Sequence, residues 1–216
     1  MKNLFFVYTI PLFYQQLYCP VMEEAFGNDP EVTVRFTMDN SILLDTLANG
    51  VVPTDSVKDR LARLLRNCTD AGADCIVVGC TALNTATKEF SAAAAVPTMS
   101  VDEPMIQKLL ADGRRKIAVL SHTPINASTI SRRLLAEDPT LEVELFPVAG
   151  AGDAFNSGNM EEFHRLMRAG ALAIPQGFDA IALGHISAEH VDFSGIATPI
   201  YKTGACCVEA IRSILR

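Results

Sequence analysis

No stretch of the chain approaches the ~20 consecutive apolar residues that span a bilayer as a helix, so no segment reads as membrane-embedded. Neither G-x-x-x-x-G-K-[ST] nor G-x-G-x-x-G occurs, which removes the usual phosphate-cradling loops and argues against nucleotide binding. Basic residues run no further than pairs such as Arg114-Arg115 and Arg132-Arg133, and 18 basic against 25 acidic residues leave a net charge of −7. Nucleic acid would find no basic stripe to neutralise its phosphates. Six cysteines are present (Cys19, Cys68, Cys75, Cys80, Cys206 and Cys207), yet none forms a C-x-x-C pair and no H-x-x-x-H segment exists. No local motif therefore encodes a dithiol or a metal site, and no metal is expected. With no secretory signal, the expectation is a cytoplasmic protein with reduced thiols.

What is present points to a globular fold. Apolar residues make up 49% of the 216 and charged residues 20%, so a chain of this length buries a large core without disulfides. It has room for one large domain or two small ones. The opening run Leu4-Phe5-Phe6-Val7-Tyr8 follows Lys2 as a signal peptide would, but it soon meets Thr9, Pro11 and Gln15-Gln16 and has no small-residue cleavage site. It reads as a short buried strand.

The sequence carries an internal duplication. Gly72-Ala-Asp-Cys-Ile-Val-Val-Gly-Cys80 and Gly177-Phe-Asp-Ala-Ile-Ala-Leu-Gly-His185 share the frame G-x-D-x-I-x-apolar-G, followed by a side chain able to carry a proton, at an offset of 105. Val96-Pro97-Thr98-Met99-Ser100-Val101 matches Thr198-Pro199-Ile200-Tyr201-Lys202-Thr203 at an offset of 102. Leu4 to Pro11 matches Ile117 to Pro124. Three matches in one order argue for two copies of one α/β unit. The expected division is residues 1–95 with 204–216 as one lobe and 96–203 as the other. Short apolar runs around Phe5, Ile76, Ile117 and Ile181 fit strands of parallel sheets covered on both faces. Between them, Asp55 or Ser56 is positioned to cap a helix carrying Val57, Leu61, Leu64, Leu65 and Cys68. Asp102 is positioned to cap another, which Gly113 stops. Met160, Phe163, Leu166 and Met167 form a third stripe, and the Gly-rich 149–153 segment reads as a flexible connector.

Ligands of open α/β sheets collect at the carboxyl ends of the strands. Cys80 and His185 stand at such ends, as do Thr9, Pro11, His122 and Thr123. If the two copies face each other, Cys80 and His185 lie on opposite walls of one cleft. A thiol between a strand and a helix gains from unpaired N–H groups and from the helix dipole, both of which favour thiolate. The same amides, with Thr81, suit a carboxylate or enolate-like oxygen. By the repeat, Ile186 and Ser187 are candidates for the same duty. His185 is a candidate acid, base or hydrogen-bond donor. His164 and His190 are expected at the surface.

At these residues the chain resembles the aspartate/glutamate/hydantoin racemase superfamily. The segments that carry the resemblance are Asp74 to Thr81, Val96 to Pro104, Lys116 to Thr123 and Asp179 to His185. The resemblance implies two Rossmann-like lobes of parallel sheet related by a pseudo-twofold axis, with the active site in the cleft between them. It also implies cofactor-free proton transfer at a carbon next to a carboxylate, by one cysteine from each lobe. The first cysteine maps to Cys80 and the second to His185, so the thiol pair is incomplete. The chain looks like a branch that keeps only the first cysteine. Arylmalonate decarboxylases and maleate isomerases also resemble this superfamily, so a single-cysteine enzyme and an inactive carboxylate-binding protein are the alternatives. The expected partner is a small carboxylate, and both a monomer and a homo-oligomer remain open.

Overall fold

The computed structural model describes residues 1–9 and 19–216, leaving aside the side chains of Cys19 and Pro20. The chain divides into two compact units, Met1–Glu103 with Cys207–Arg216, and Pro104–Cys206. The boundary follows Glu103 because Thr98–Ser100 is a strand of the first sheet.

In the first unit, β1 (Lys2–Tyr8), β2 (Val32–Met38), β3 (Cys75–Val78) and β4 (Thr98–Ser100) form a parallel sheet in the order β2-β1-β3-β4. The opening apolar run is thus a sheet strand, and Leu4 to Tyr8 are all buried. Every residue of β3 is buried, as a strand covered on both faces requires. Described helices of this unit include α1 (Cys19–Phe26), α2 (Asn40–Ala48), α3 (Asp55–Asp70) and α4 (Asn84–Ser91). Val57, Leu61, Leu65 and Cys68 of α3 pack on Phe5, Val7, Ile76 and Val78. The cap of α3 is Thr54, whose hydroxyl accepts from Val57 N, and not Asp55 or Ser56, which lie inside the first turn.

The second unit repeats the plan. After α5 (Glu103–Ala111) come β5 (Lys116–Ser121), α6 (Pro124–Glu137), β6 (Glu142–Pro147), α7 (Ala151–Asn156), α8 (Met160–Leu172), β7 (Ala180–Leu183) and β8 (Ile200–Tyr201). Helix α9 (Thr203–Leu215) follows. The strands pair in parallel in the order β6-β5-β7-β8, the same permutation as in the first unit. The Gly-rich segment is not a connector throughout. Gly150 takes a left-handed turn at φ 76°, after which Ala151, Ala154 and Phe155 bury one face of α7.

The duplicated residues make duplicated bonds. Asp74 accepts from Asn3 N at 2.7 Å, and Asp179 accepts from Lys116 N at 2.8 Å, so each aspartate pins the start of a neighbouring strand. Gly79 N donates to Val7 O at 2.9 Å and Gly184 N to Leu120 O at 2.8 Å. Ile76 N donates to Pro97 O and Ile181 N to Pro199 O, at 2.9 and 2.8 Å. The repeated glycine is a packing requirement at Gly184, where an added Cβ would lie 2.8 Å from Ser121 Cβ. Gly184→Ala is therefore expected to cost about 1–3 kcal/mol, the range for an overpacked interior. A urea titration checks this, and an unchanged midpoint would show that the two strand ends have room to spare.

Candidate active site

Cys80 follows β3 directly and caps a 3₁₀ turn, Thr81–Leu83. Its side chain is buried, only 5% exposed. Burial pushes the thiol up from its ordinary value, and the nearby Asp102 carboxylate adds to that rise. The Thr9 hydroxyl and the Ala82 and Leu83 N–H groups pull the other way by stabilising the thiolate. Thr9 is buried, and its hydroxyl makes no well-formed hydrogen bond among the described residues, so it can turn to the sulfur or to a ligand. Beside it, Thr81 and Asn84 are buried, and Asn84 Nδ2 donates to Asp102 Oδ2 at 2.7 Å. Asp102 stands just before α5, and its carboxylate also bonds to the start of α4 just after the Cys80 turn.

The thiol is thus surrounded by donors, as its strand-end place suggests, yet its resting form near neutrality is the protonated one. Depletion of the solvent shell outweighs three donors. Alkylation of Cys80 by iodoacetamide is expected to rise with pH through a midpoint above the ~8.5 of a free thiol. Peptide mapping across pH reads this directly, and a midpoint below 8 would mean that the donors win.

In the second unit, His122 follows β5 and His185 follows the adjacent β7. Their rings lie 5.1 Å apart edge to face, and Phe155 and Phe163 flank His122 at 5.2 and 5.8 Å. Ser187 connects them. Its backbone N–H donates to His185 Nδ1 at 3.2 Å, and its hydroxyl lies 3.2 Å from His122 Nδ1. A backbone N–H can only donate, so His185 Nδ1 holds a lone pair and the ring proton of the neutral form sits on Nε2. Burial drops His185 to about 3, with the neighbouring His122 adding to the fall, and burial alone drops His122 to about 4. Both rings are neutral at physiological pH.

Of the other expected site residues, Ile186 and Ser187 are buried in the 3₁₀ turn Ile186–Ala188 that His185 caps. The Thr123 hydroxyl caps α6 by accepting from Asn126 N at 3.2 Å. Pro11 lies outside the described residues. His164 is half-buried and His190 exposed. Among the described residues no three His, Cys, Asp or Glu side chains converge as metal ligands, and no helix is long and apolar enough to cross a membrane. Sequence reasoning passed over Asn84 and Glu189. Each stands four residues after Cys80 or His185, so the 105-residue offset was the signal that marks them as a pair.

Solved structures share this fold. Over 99% of the chain and 94% of the other, the fold matches Picrophilus torridus aspartate racemase with a TM-score of 0.70 at 14% identity. Glutamate racemase from Aquifex pyrophilus matches over 100% of the chain and 84% of its own, with a TM-score of 0.61 at 15% identity. Unliganded arylmalonate decarboxylase matches over 100% and 93%, with a TM-score of 0.55 at 13% identity. No curated protein matches the sequence closely enough to count. A family profile described as Asp/Glu/Hydantoin racemase covers residues 17–185, most of the chain and both duplicated motifs. The chain belongs to the Asp/Glu/Hydantoin racemase family.

Proposed function

We propose that this chain is a cofactor-independent cytoplasmic enzyme that moves a proton at a carbon next to a carboxylate, with Cys80 as the acid/base. The observation that carries this reading is Cys80, buried at the end of β3 where it caps the 3₁₀ turn Thr81–Leu83, with the Thr9 hydroxyl and the Ala82 and Leu83 amides favouring its thiolate. In the racemase-like direction the Cys80 thiolate takes the α-proton. The C–H electron pair moves into the carboxylate as an enolate-like dianion, and carbon then takes a proton back from the Cys80 thiol on the same face or from solvent on the other. Hydrogen-bond donors fixed in place stabilise that charge where it develops.

His185 enters this chemistry as a hydrogen-bond donor. Its Nδ1 is engaged by Ser187 N–H, so a neutral ring offers Nε2–H to an oxygen, as a neutral imidazole does where it polarises a carbonyl. A ring fixed in that tautomer makes a poor base for the second face. This favours, as a second reading, a one-sided enzyme of the arylmalonate decarboxylase or maleate isomerase kind. In a decarboxylation, carbon dioxide leaves with its bond pair left on carbon, and the resting Cys80 thiol supplies the proton. A small-carboxylate binding protein without turnover is the third.

The pH profile of kcat/KM separates the directions, because it reports the free enzyme. A Cys80 base gives a rate that rises through the neutral range, whereas a Cys80 proton donor gives one that is flat there and falls only at high pH. Amino acids, hydantoins, substituted malonates and maleate are the compounds to offer, with chirality and carbon dioxide followed together. Tight binding of a dicarboxylate with no reaction on any of them would reject both enzyme readings.

A further inference from the structure

Glu189 carries no part in the chemistry above, yet both oxygens of its carboxylate accept backbone hydrogen bonds. Oε2 accepts from Gly204 N at 2.8 Å and Oε1 from Ala205 N at 2.9 Å, the first-turn amides of α9. Its backbone oxygen accepts from Lys202 Nζ at 2.6 Å, and its backbone N–H closes the 3₁₀ turn by donating to Ile186 O at 2.9 Å. One residue earlier, Thr203 Oγ1 donates at 3.1 Å to the backbone oxygen of Leu183, the last residue of β7. The segment from Leu183 to Glu189, which holds His185 and Ser187, is therefore tied to the start of α9 at both of its ends.

The same place in the first unit is tied by different chemistry. Asn84 follows Cys80 by as many residues as Glu189 follows His185, and it donates to Asp102, which immediately precedes α5. A carboxylate on two helix amides and an amide on a carboxylate share no atoms in common. What they share is the job of fastening the turn after the motif to the helix that follows the next strand.

We propose that Glu189 is a positioning residue, which holds the 3₁₀ turn so that Ser187 N–H meets His185 Nδ1 and Nε2–H is presented as the donor. Its consequence for rate rests on the proposed enzymatic reading; its consequence for the ring does not. Without the clamp, the turn loses both carboxylate bonds to α9, the Ser187 amide drifts from Nδ1, and the imidazole is released to the other tautomer. A misplacement of about 1 Å is enough to cost on the order of 10²-fold in rate.

The test is ¹⁵N NMR of the histidines in the full chain at neutral pH, on wild type, Glu189→Ala and Glu189→Gln. Wild type is expected to show His185 with Nδ1 unprotonated and Nε2 protonated. Glu189→Ala is expected to show a mixture of tautomers at His185. Glu189→Gln, whose one carbonyl oxygen keeps a single amide bond, is expected to fall between. On a compound that wild type converts, kcat is expected to drop on the order of 10²-fold in Glu189→Ala with KM little changed. Cys80 labelling in the first unit should stay as in wild type, which excludes general loosening. If Glu189→Ala unfolds, the Glu189→Gln spectrum decides alone. A pure Nε2–H tautomer in a Glu189 variant of lowered stability would overturn the proposal and leave Glu189 as a helix cap only. Absence of turnover by wild type would count against the enzymatic reading, while the tautomer result still decides this one.

Discussion

Lowering the pH from 7.5 to 5 is expected to remove about 4 kcal/mol of folding stability through His122 and His185. The folded rings titrate at about 4 and about 3, whereas in the unfolded chain both return to ~6.5. Below that value the unfolded state binds protons that the folded state refuses, so stability falls as pH falls, until the folded values are reached. At pH 5 each ring lies about 1.5 units below its unfolded value, and at 1.36 kcal/mol per unit each costs about 2 kcal/mol. Against a total of about 5–15 kcal/mol this is a large fraction. Glu189, whose carboxyl burial pushes up, works in the opposite direction, so the histidines are isolated by substitution. Urea midpoints of wild type, His122→Asn and His185→Asn at the two pH values make the comparison. Each variant should lose about half of the pH sensitivity whatever its absolute stability. Identical sensitivity in all three would mean that the rings are solvated in solution.

The largest catalytic effect is expected at Cys80. Cys80→Ala removes the atom that carries the proton and leaves the turn that holds it, since Leu83 N donates to the Cys80 backbone oxygen at 3.0 Å. A positioned acid/base is worth about 10²–10⁴-fold, and kcat/KM on any converted compound should fall by about 10³-fold. His185→Ala should cost less, because a hydrogen-bond donor is lost and the proton carrier is kept. The comparison is made by steady-state kinetics at one pH with circular dichroism to check folding. A Cys80→Ala enzyme within ten-fold of wild type would move the chemistry to another group.

Much of this was legible in the sequence because it is local. The frame G-x-D-x-I-x-apolar-G encodes a pinned strand start and a strand buried on both faces, and the fold shows both of these twice. Cys80 and His185 at strand ends follow from that frame alone. The direction of the Cys80 shift does not. Burial sets it, with a small addition from Asp102 and against the opposing pull of Thr9, both of which come to the sulfur from distant parts of the chain, so desolvation outweighs the locally expected depression of the thiol. The contact of Ser187 with both rings is likewise through space, as β5 and β7 are neighbours in the sheet but far apart in sequence. The Gly-rich 149–153 segment misled for a different reason. Glycine there serves the turn into α7, not looseness.

The most direct test of proton transfer by Cys80 is deuterium incorporation in deuterium oxide, followed by mass spectrometry on the panel of carboxylates, for wild type and Cys80→Ala. Wild type should place solvent deuterium on the carbon next to a carboxylate of at least one compound, either by exchange or in a decarboxylated product, and Cys80→Ala should place none above the uncatalysed background. Equal incorporation by the two proteins would contradict the role given to Cys80.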